Sequence, residues 1–442
     1  MKTFLKILKG VGITIFLLVA ILTIGVIIYL NYESILARHK IADTQKYAAS
    51  VTELTIPDSA KVVSLGEASH GNIEFQELKL TVLQELVEDY GFTAFALELD
   101  FGEGIAINEY ILGGEGSSEE LLENTSFPIY HTTQMQELIE WMRSYNEAVS
   151  KDKQIRFYGF DMQIGADSAK YVIDFCNKNS ITSIHDDLDA ITVLTDASFQ
   201  LNEATAANLS NNLERILIAL EEYGTSYSSD QFDLSYKSAV QATHTLLQVV
   251  NNWLVDTPYY DYRDRCMADN VLWILDTEER IGSGRIMIAG HNGHIAKSDT
   301  EFTCMGENLH EDLGSAYYAI GTDYFTADVN IHDNSTMYEN PQRRTHHFCS
   351  QDPLAYQARY MENNMYFLDF ASVAEESSEL YEQLHTNTRM AAVGEGYMWL
   401  WYVFTDSIRP LQVPADLYDG MIYVYHAEPI SFKPLPNDDF LE

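Results

Sequence analysis

The chain has 442 residues, 46% of them hydrophobic and 12% aromatic, which is enough apolar material for one large domain with insertions or for two domains. Its 66 acidic residues outnumber its 27 basic residues and give a formal net charge of −39. The apolar content excludes a globally disordered chain, and the negative charge excludes nucleic acid as the partner of most of the protein.

The amino terminus departs from this composition. Lys2, Lys6 and Lys9 precede an apolar run over residues 10–30. At about 1.5 Å per residue, a helix of this length spans roughly 31 Å and crosses the hydrocarbon core of a bilayer. The run is longer than a signal-peptide core and no Ala-x-Ala-like site follows, so it is interpreted as an uncleaved anchor. The lysines predict a cytoplasmic tail over residues 1–9 and a single pass through the cell membrane, with the bulk of the chain outside.

Residues 31–58 are expected to form a juxtamembrane helix and linker, and residues 59–442 one large domain. Its first elements are a short apolar strand over residues 62–65, a turn from Gly66, an amphipathic helix ending at Gly91 and a second strand over residues 92–97. A strand–helix–strand unit of this length is a βαβ crossover, which requires parallel strands.

The later elements follow the same alternation. A short helix is predicted near residues 105–112 and an amphipathic helix from 135 to about 150. Residues 168–280 have apolar positions at helical spacing and no convincing strand, so they predict a helical insertion packed over the sheet. Further strands are predicted at 155–160, 285–290, 315–322, 365–370, 399–404 and 421–425, with 333–359 as a long connection. Together these elements predict an α/β fold with a mainly parallel central sheet flanked by helices, an inserted helical subdomain and an N-terminal transmembrane helix.

Polar residues follow the predicted strands at their carboxyl ends. In open parallel sheets, ligands bind beyond those ends, so side chains that are distant in sequence can converge there. The residues at these positions are Glu67, His70, Glu98, Asp161, His291 and His294. Two chemistries fit the set. A histidine can act as general base on water while a carboxylate orients it, or histidines and carboxylates can hold a divalent metal that activates water. Glu67, His70 and His291 could supply the metal site.

Other candidates have structural roles as alternatives. Glu74 and Lys79 lie on the helix after His70, where a surface salt bridge competes with substrate binding. Asp161 either caps the next segment or joins the site, and Arg265 lies on the last helix of the insertion. Glu74, Lys79, Asp161 and Arg265 are predicted to contact substrate.

Several classes of site are missing from the sequence. It contains no Gly-x-Ser-x-Gly motif, no phosphate-binding loop and no dinucleotide fingerprint, so no cofactor is predicted. The four cysteines show no Cys-x-x-Cys spacing. Buried thiols or a disulfide are both possible, with Cys304–Cys349 as the conceivable bridge.

Motifs spread from about residue 60 to 430 resemble the erythromycin esterase family. They include Gly-Glu-Ala-Ser-His at residues 66–70, Gly-Phe-Asp at 159–161 and Ala-Gly-His-Asn-x-His at 289–294. The resemblance implies an α/β fold and metal-independent hydrolysis of an ester or lactone by activated water. It makes His70 the general base, maps the family glutamates to Glu67 and Glu98, and places His294 or His291 in the site, with His294 favoured. Macrolide esterases of this type carry arginine where this chain has Lys79.

The resulting hypothesis is a membrane-anchored hydrolase whose partner is a small ester or lactone. Water is activated by His70, the oxyanion is stabilised by His294 or Lys79, and the insertion forms a lid. A macrolide substrate would make the protein an antibiotic-resistance enzyme; the outside location also fits a surface glycan ester, a lipid or a peptide. The alternatives are a metal-dependent hydrolase or peptidase that uses the same residues, and a non-catalytic surface protein that binds a ligand.

Overall fold

The computed structural model describes residues 2–225, 232–298, 302–335, 342–373, 378–402 and 407–433. Its helices are α1 Lys2–Leu36, α2 Thr44–Tyr47, α3 Ile73–Tyr90, α4 Phe101–Ile111, α5 Ser118–Glu123, α6 Thr133–Ala148, α7 Ala166–Lys178, α8 His185–Ile191, α9 Glu203–Gly224, α10 Leu234–Asn251, α11 Tyr259–Ile281, α12 Asn292–Ile295, α13 Met305–Leu313, α14 Pro353–Gln357, α15 Glu379–Leu384 and α16 Pro414–Leu417. Its strands are β1 Val62–Glu67, β2 Ala94–Asp100, β3 Arg156–Asp161, β4 Ile286–His291, β5 Tyr317–Asp333, β6 Gln342–Cys349, β7 Met365–Asp369, β8 Thr388–Arg389, β9 Gly396–Tyr397, β10 Leu411–Gln412 and β11 Gly420–Ala427.

One mixed, mostly parallel sheet organises the domain. Its main path runs β3-β2-β4-β1-β5-β11-β7, and β6 and β9 pair with β5 beside this path. The pairs from β3 through β11 are parallel, whereas β7 and β6 run antiparallel to their neighbours. The predicted crossover from β1 through α3 to β2 is parallel, and β4 lies between its two strands. The predicted mainly parallel α/β class is therefore confirmed.

The central strands are continuous apolar runs because both faces of the sheet are covered. Successive side chains point to opposite faces, so Val63 packs in the core beneath α3 and α6, whereas Val62 packs in the core beneath α11 and α13. With the strand interiors buried on both sides, the polar side chains that this sequence carries collect at the carboxyl ends of the strands.

The described residues between β3 and β4 form the five helices α7 to α11 and contain no strand. Helices α7 to α10 pack around an apolar cluster of their own that includes Leu213, Ile216 and Leu246. Phe101 of α4 belongs to the same cluster. This contact ties the insertion to the sheet next to the end of β2.

Three predicted stretches differ from the structure. Residues 399–402 form a 3-10 helix rather than a strand, and the rest of that predicted strand lies outside the described residues. The expected connection over 333–359 holds β6 and α14. Strand β6, Gln-Arg-Arg-Thr-His-His-Phe-Cys, escapes detection because an exposed edge strand carries almost no apolar alternation. Strand β5 continues to Asp333 because its second half pairs with β6.

The N-terminal helix α1 contains a segment, Lys9–Ile28, that is long and apolar enough to cross a membrane and is exposed along its length. The residues after α1, expected to be a linker, pack against the domain: Ala37 and Ile41 are buried, and the amide of Ile41 donates to Oε1 of Gln357 at 3.0 Å. All four cysteines lie in the described part of the chain, and no disulfide joins them. The thiol of Cys304 donates to the carbonyl oxygen of Ala296 at 3.1 Å.

A buried carboxyl group on α4 gives the fold a pH dependence. Oε1 of Glu103 accepts from the amide of Ser126 at 2.7 Å, whereas its Oε2 has no hydrogen-bond partner among the described residues. Burial, reinforced by the charge of Asp100, raises the pKa of Glu103 from 4.5 to about 8. Between these values the folded chain holds a proton that the unfolded chain has released, so this group makes stability fall as pH rises from about 4.5 to 8.

Glu103→Gln should therefore flatten the decline of the free energy of unfolding between pH 5 and pH 8. Glutamine keeps the acceptor for Ser126 and carries no titrating proton. Urea unfolding at several pH values measures the effect, which should amount to a difference of a few kcal/mol between the two ends of the range. Parallel curves for the variant and the wild type would contradict it.

Candidate functional site

The carboxyl ends of β1, β2 and β4 open into a cavity of about 750 Å³. His70, Glu98, His291 and His294 line its floor, and Arg263 from α11 closes one side. The sheet brings these residues together because Glu67 on β1 and His291 on β4 are register partners in a parallel pair. The cavity thus collects titratable side chains that follow or end three different strands, β1, β2 and β4.

His70 is held by a carboxylate that is itself held by a lysine. Nδ1 of His70 lies 2.7 Å from Oε1 of Glu67, and Nζ of Lys79 donates to Oε2 of Glu67 at 2.6 Å. Nζ of Lys79 also donates to the carbonyl oxygen of Phe75 at 3.3 Å. All three ionisable side chains are buried. A carboxylate oxygen can only accept, so Nδ1–H of His70 donates to Glu67. The ring proton therefore lies on Nδ1, and Nε2 keeps its lone pair.

The same contacts set the protonation of the pair. Burial by itself raises the pKa of Glu67, but Lys79 and the hydrogen bond from His70 outweigh it and lower this pKa to about 2. Burial lowers the pKa of His70, but the hydrogen bond and charge of Glu67, with the charge of Glu98, raise it above 6.5. The imidazole is thus a stronger base than free histidine.

Arg263 is the hub of the opposite side. Its Nη2 donates to Glu98 at 2.8 Å and to Asp161 at 2.7 Å, and its Nε donates to Asp161 at 3.0 Å. Its Nη1 lies 3.1 Å from Nε2 of His294, whose Nδ1 lies 2.8 Å from Asp264. Arginine can only donate, so Nε2 of His294 accepts from Arg263 and Nδ1–H of His294 donates to Asp264. This histidine has both ring nitrogens engaged.

Glu98 connects that hub to the loop after β4. Its Oε2 accepts from the amide of His291 at 2.8 Å while its Oε1 binds Arg263. Burial raises the pKa of Glu98, but its electrostatic interactions with His294 and Arg263 outweigh burial, and the net pKa lies well below its ordinary value. Glu98 is therefore a permanent anion that fixes the backbone of His291.

His291 has the opposite tautomer from His70. Its Nδ1 accepts from the amide of Gly293 at 3.2 Å, so the proton of the neutral ring lies on Nε2. Burial, with the electrostatic influence of the neighbouring His70 and His294, lowers the pKa of His291 to about 3, which keeps the ring of His291 neutral. Nε2 is buried and has no partner among the described residues. The rings of His291 and His70 are 5.1 Å apart between centroids.

Aromatic side chains form much of the remaining wall. Tyr259 and Tyr260 begin α11 and belong to the helical insertion, whereas Phe302 and Tyr130 come from loops on other sides. The hydroxyl of Tyr130 is buried without a partner among the described residues, and burial raises its pKa well above 10. It therefore remains a protonated donor at the cavity wall.

The predicted site residues occupy three kinds of position. His70, Glu98, His291 and His294 line the cavity. Glu67, Asp161 and Lys79 lie behind that wall: Glu67 binds His70, Asp161 binds Arg263, and Lys79 binds Glu67. Glu74 and Arg265 lie elsewhere.

The structure gives Glu74 and Arg265 other partners than a substrate. Glu74 accepts from the amide of Glu428 at 2.8 Å. Arg265 is half-exposed and pairs with Asp269 at 2.8 Å. Residues two apart on a helix face away from each other, so Arg263 and Arg265 cannot both reach the cavity.

Sequence reasoning did not select Arg263, Asp264 or Tyr130 as site residues. The charged stretch Asp-Tyr-Arg-Asp-Arg over residues 261–265 is the only local signal for Arg263 and Asp264. The structure shows that both are buried, and buried charged groups need partners. Tyr130 lies in a short 3-10 turn, and no local pattern distinguishes it.

The family model for erythromycin esterase matches residues 87–427. Erythromycin esterase type II from Escherichia coli is 28% identical over 291 residues, which cover 59% of this chain and 68% of that protein. A crystal structure of a succinoglycan biosynthesis protein superposes with a TM-score of 0.71 at 21% identity, covering 88% of this chain and 97% of the other. A histidine mutant of the erythromycin esterase EreC in its open conformation gives a TM-score of 0.57 at 14% identity, covering 85% and 92%.

Proposed function

Because the chain belongs to the erythromycin esterase family of hydrolases, we propose that it cleaves a carboxylic ester or lactone with water activated by His70. The observation that carries this proposal is the pair of histidines with opposite tautomers on one cavity floor. Nε2 of His70 accepts a proton, and Nε2 of His291 donates a hydrogen bond. Ester hydrolysis requires one group of each kind.

In the first step, Nε2 of His70 takes a proton from water as the water oxygen attacks the carbonyl carbon. Glu67 stabilises the imidazolium that forms, and Lys79 keeps the glutamate ionised and oriented. Lys79 therefore acts on Glu67 and does not touch the substrate. This role replaces the oxyanion contact expected from the sequence.

The negative oxygen of the tetrahedral intermediate binds to the Nε2–H of His291, with the Tyr130 hydroxyl as a second donor. Both groups have unused hydrogen-bonding capacity at the cavity wall, whereas His294 has none. The carbon–oxygen bond to the alcohol then breaks, and the imidazolium of His70 returns its proton to the leaving alkoxide. The products are a carboxylic acid and an alcohol.

The cavity supports a substrate with an apolar body. Its volume lies in the range of pockets that take drug-sized ligands, and tyrosine and phenylalanine side chains line it on several sides. A macrolide lactone fits this description, as does a large apolar ester from the cell envelope. Tyr259 and Tyr260 of the helical insertion form part of the cavity wall, so the insertion takes part in selecting the substrate.

The location proposed for the enzyme is the outer side of a membrane, anchored by α1. The support is the exposed apolar segment Lys9–Ile28 and the basic residues before it. Packing of Ile41 and the residues that follow against the domain holds the cavity-bearing part close to the bilayer.

The metal-dependent alternative is less well supported by the contacts. Both oxygens of Glu67 are bound, one by Nδ1 of His70 and the other by the ammonium of Lys79. For Glu67 to become a ligand, the buried Lys79 would have to give up its partner, which is unfavourable for a charge removed from water.

A panel assay tests the proposed function. The full chain in detergent is incubated with erythromycin and with esters of increasing acyl size, with and without chelator, and mass spectrometry follows the addition of water. Cleavage that resists chelator supports the proposal, and the cleaved members define the substrate class. Activity that disappears with chelator favours the metal-dependent alternative, and ligand-induced thermal stabilisation without any turnover favours a binding protein.

The pH profile should report the Glu67–His70 pair. The active form has neutral His70, so kcat/KM should rise with pH and level off, with a midpoint above 6.5 in the wild type. Glu67→Gln removes the charge that raises this pKa, so the midpoint should move to lower pH and the plateau should fall. Glu395 also raises the pKa of His70, but by less than Glu67 or Glu98 does, so Glu395→Gln should move the midpoint less and in the same direction. A profile that is flat from pH 5 to 8 would contradict a histidine base.

A further inference from the structure

A second cluster of histidine and carboxylate side chains lies outside the cavity, where β6, β5 and β11 run side by side. Asp328 on β5 is the register partner of His347 on β6, and Thr326 is the register partner of His426 on β11. Glu428 follows two residues after His426 and so extends from the same face. These side chains are half-buried or exposed and open to solvent.

Three atoms of this cluster are spaced as ligands of one metal ion. Nε2 of His426 lies 3.4 Å from Oε1 of Glu428 and 3.8 Å from Oδ2 of Asp328, and all three ligand atoms lie within 4.8 Å of one another. Nitrogen and oxygen ligands at 2.0–2.2 Å from a tetrahedral zinc ion are about 3.3 Å apart. The side chains would need only small adjustments to close on an ion.

The partners behind these ligands orient them for this purpose. The hydroxyl of Thr326 donates its proton to the carbonyl oxygen of Tyr425 at 3.3 Å. Its oxygen is therefore the acceptor for Nδ1–H of His426 at 2.9 Å. This contact places the ring proton on Nδ1 and leaves the lone pair on Nε2 for a metal. Oδ1 of Asp328 is bound by Nδ1 of His347 at 2.8 Å, which leaves Oδ2 available. Metal-binding histidines and carboxylates are typically fixed by such outer contacts.

We propose that Asp328, His426 and Glu428 form a binding site for a divalent transition metal ion of the zinc type. One imidazole and two carboxylates suit this class of ion, and solvent water can complete the coordination because Glu428 is exposed and Asp328 and His426 are half-buried. The two negative charges compensate the charge of the ion.

The position of the site gives it a structural role. The side-chain amide of Asn72 donates to the carbonyl oxygens of Asp328 and Glu428, at 3.0 Å each, and the amide of Ile73 donates to Glu428 at 2.9 Å. Asn72 lies two residues after His70 in the same turn. An ion that joins Asp328 to Glu428 therefore braces the pair of strands on which the His70 turn rests.

Zinc titration tests the site directly. The full chain, without a histidine tag and in detergent, is stripped with chelator and titrated with ZnCl₂ by calorimetry and by thermal unfolding. We expect one saturable equivalent and a raised Tm. His426→Ala and Glu428→Gln should abolish that equivalent, and Thr326→Val should weaken it by about tenfold or more. His185→Ala is the matched control, because His185 is exposed, lies on α8 of the helical insertion and pairs with Asp189 at 3.8 Å.

Two results would overturn the proposal. One is a wild-type chain that binds no zinc or shows no change in Tm. The other is zinc binding that survives His426→Ala and Glu428→Gln but disappears in His70→Ala, which would place the ion in the cavity. Zinc binding retained by His70→Ala supports the site regardless of whether the proposed hydrolysis is observed.

Discussion

Replacement of His70 by alanine should lower kcat/KM for ester hydrolysis by about 10²–10⁴-fold, the usual contribution of a general base. The variant should still fold, because Glu67 keeps its ion pair with Lys79 and is not left as an unpaired buried charge. Rates measured over a range of substrate concentrations, together with the Tm, separate loss of catalysis from loss of structure.

The matched control is His346→Ala. His346 also binds a carboxylate, with its Nε2 2.9 Å from Asp333, but it lies on β6 and does not line the cavity. Its removal should leave kcat/KM within about twofold of the wild type. Wild-type rates in His70→Ala, or equal losses in the two variants, would rule out a specific role for His70.

Arg263→Met should have the largest effect on stability, about 3–5 kcal/mol of unfolding free energy. The substitution preserves much of the side-chain volume but leaves Asp161 and Glu98 buried without their cation. Release of Glu98 should also free the loop that carries His291, so activity should fall with stability. Chemical unfolding at neutral pH measures the first effect.

Arg265→Met is the control for charge and for position on α11. Its ion pairs with Asp269 and Asp312 are half-exposed, so its loss should cost no more than about 1 kcal/mol. Similar losses in the two variants would show that Arg263 is not the hub that its contacts indicate.

Local pattern is sufficient to predict the parallel core of the sheet and the helical insertion. The apolar runs of β1, β2, β3 and β4 predict buried parallel strands, and the parallel-sheet rule brings His70, Glu98 and His291 to one edge of that sheet. The helical spacing of residues 168–280 likewise predicts an all-helical insertion. These features depend on periodicity, which a single sequence displays.

The contacts within the site cannot be predicted in the same way. The assignment of Lys79 to Glu67, and of Arg263 rather than Arg265 to Asp161, depends on which face of a helix is turned towards the sheet. The tautomers of His70 and His291 depend on one carboxylate and one backbone amide at particular distances. Spacing in sequence carries none of this information.

The missed strand β6 has a different cause. This strand lies at an edge of the sheet and much of its surface is exposed, so it can carry charged and polar side chains. They include Arg343, Arg344, His346 and His347. A strand of this kind is stabilised by pairing with β5 and not by an apolar face, so the hydrophobic pattern is uninformative. The contact of His347 with Asp328, which orients one ligand of the proposed metal site, forms only through that pairing.

The most direct test of the mechanism is a single turnover in H₂¹⁸O with an ester that the chain cleaves. Direct attack by water that His70 activates predicts that the first equivalent of carboxylic acid carries one ¹⁸O, that no acylated protein is trapped, and that His70→Ala forms product far more slowly. Unlabelled acid in the first turnover, or an acyl adduct on the protein, would mean that a side chain attacks the ester and would contradict water activation by His70.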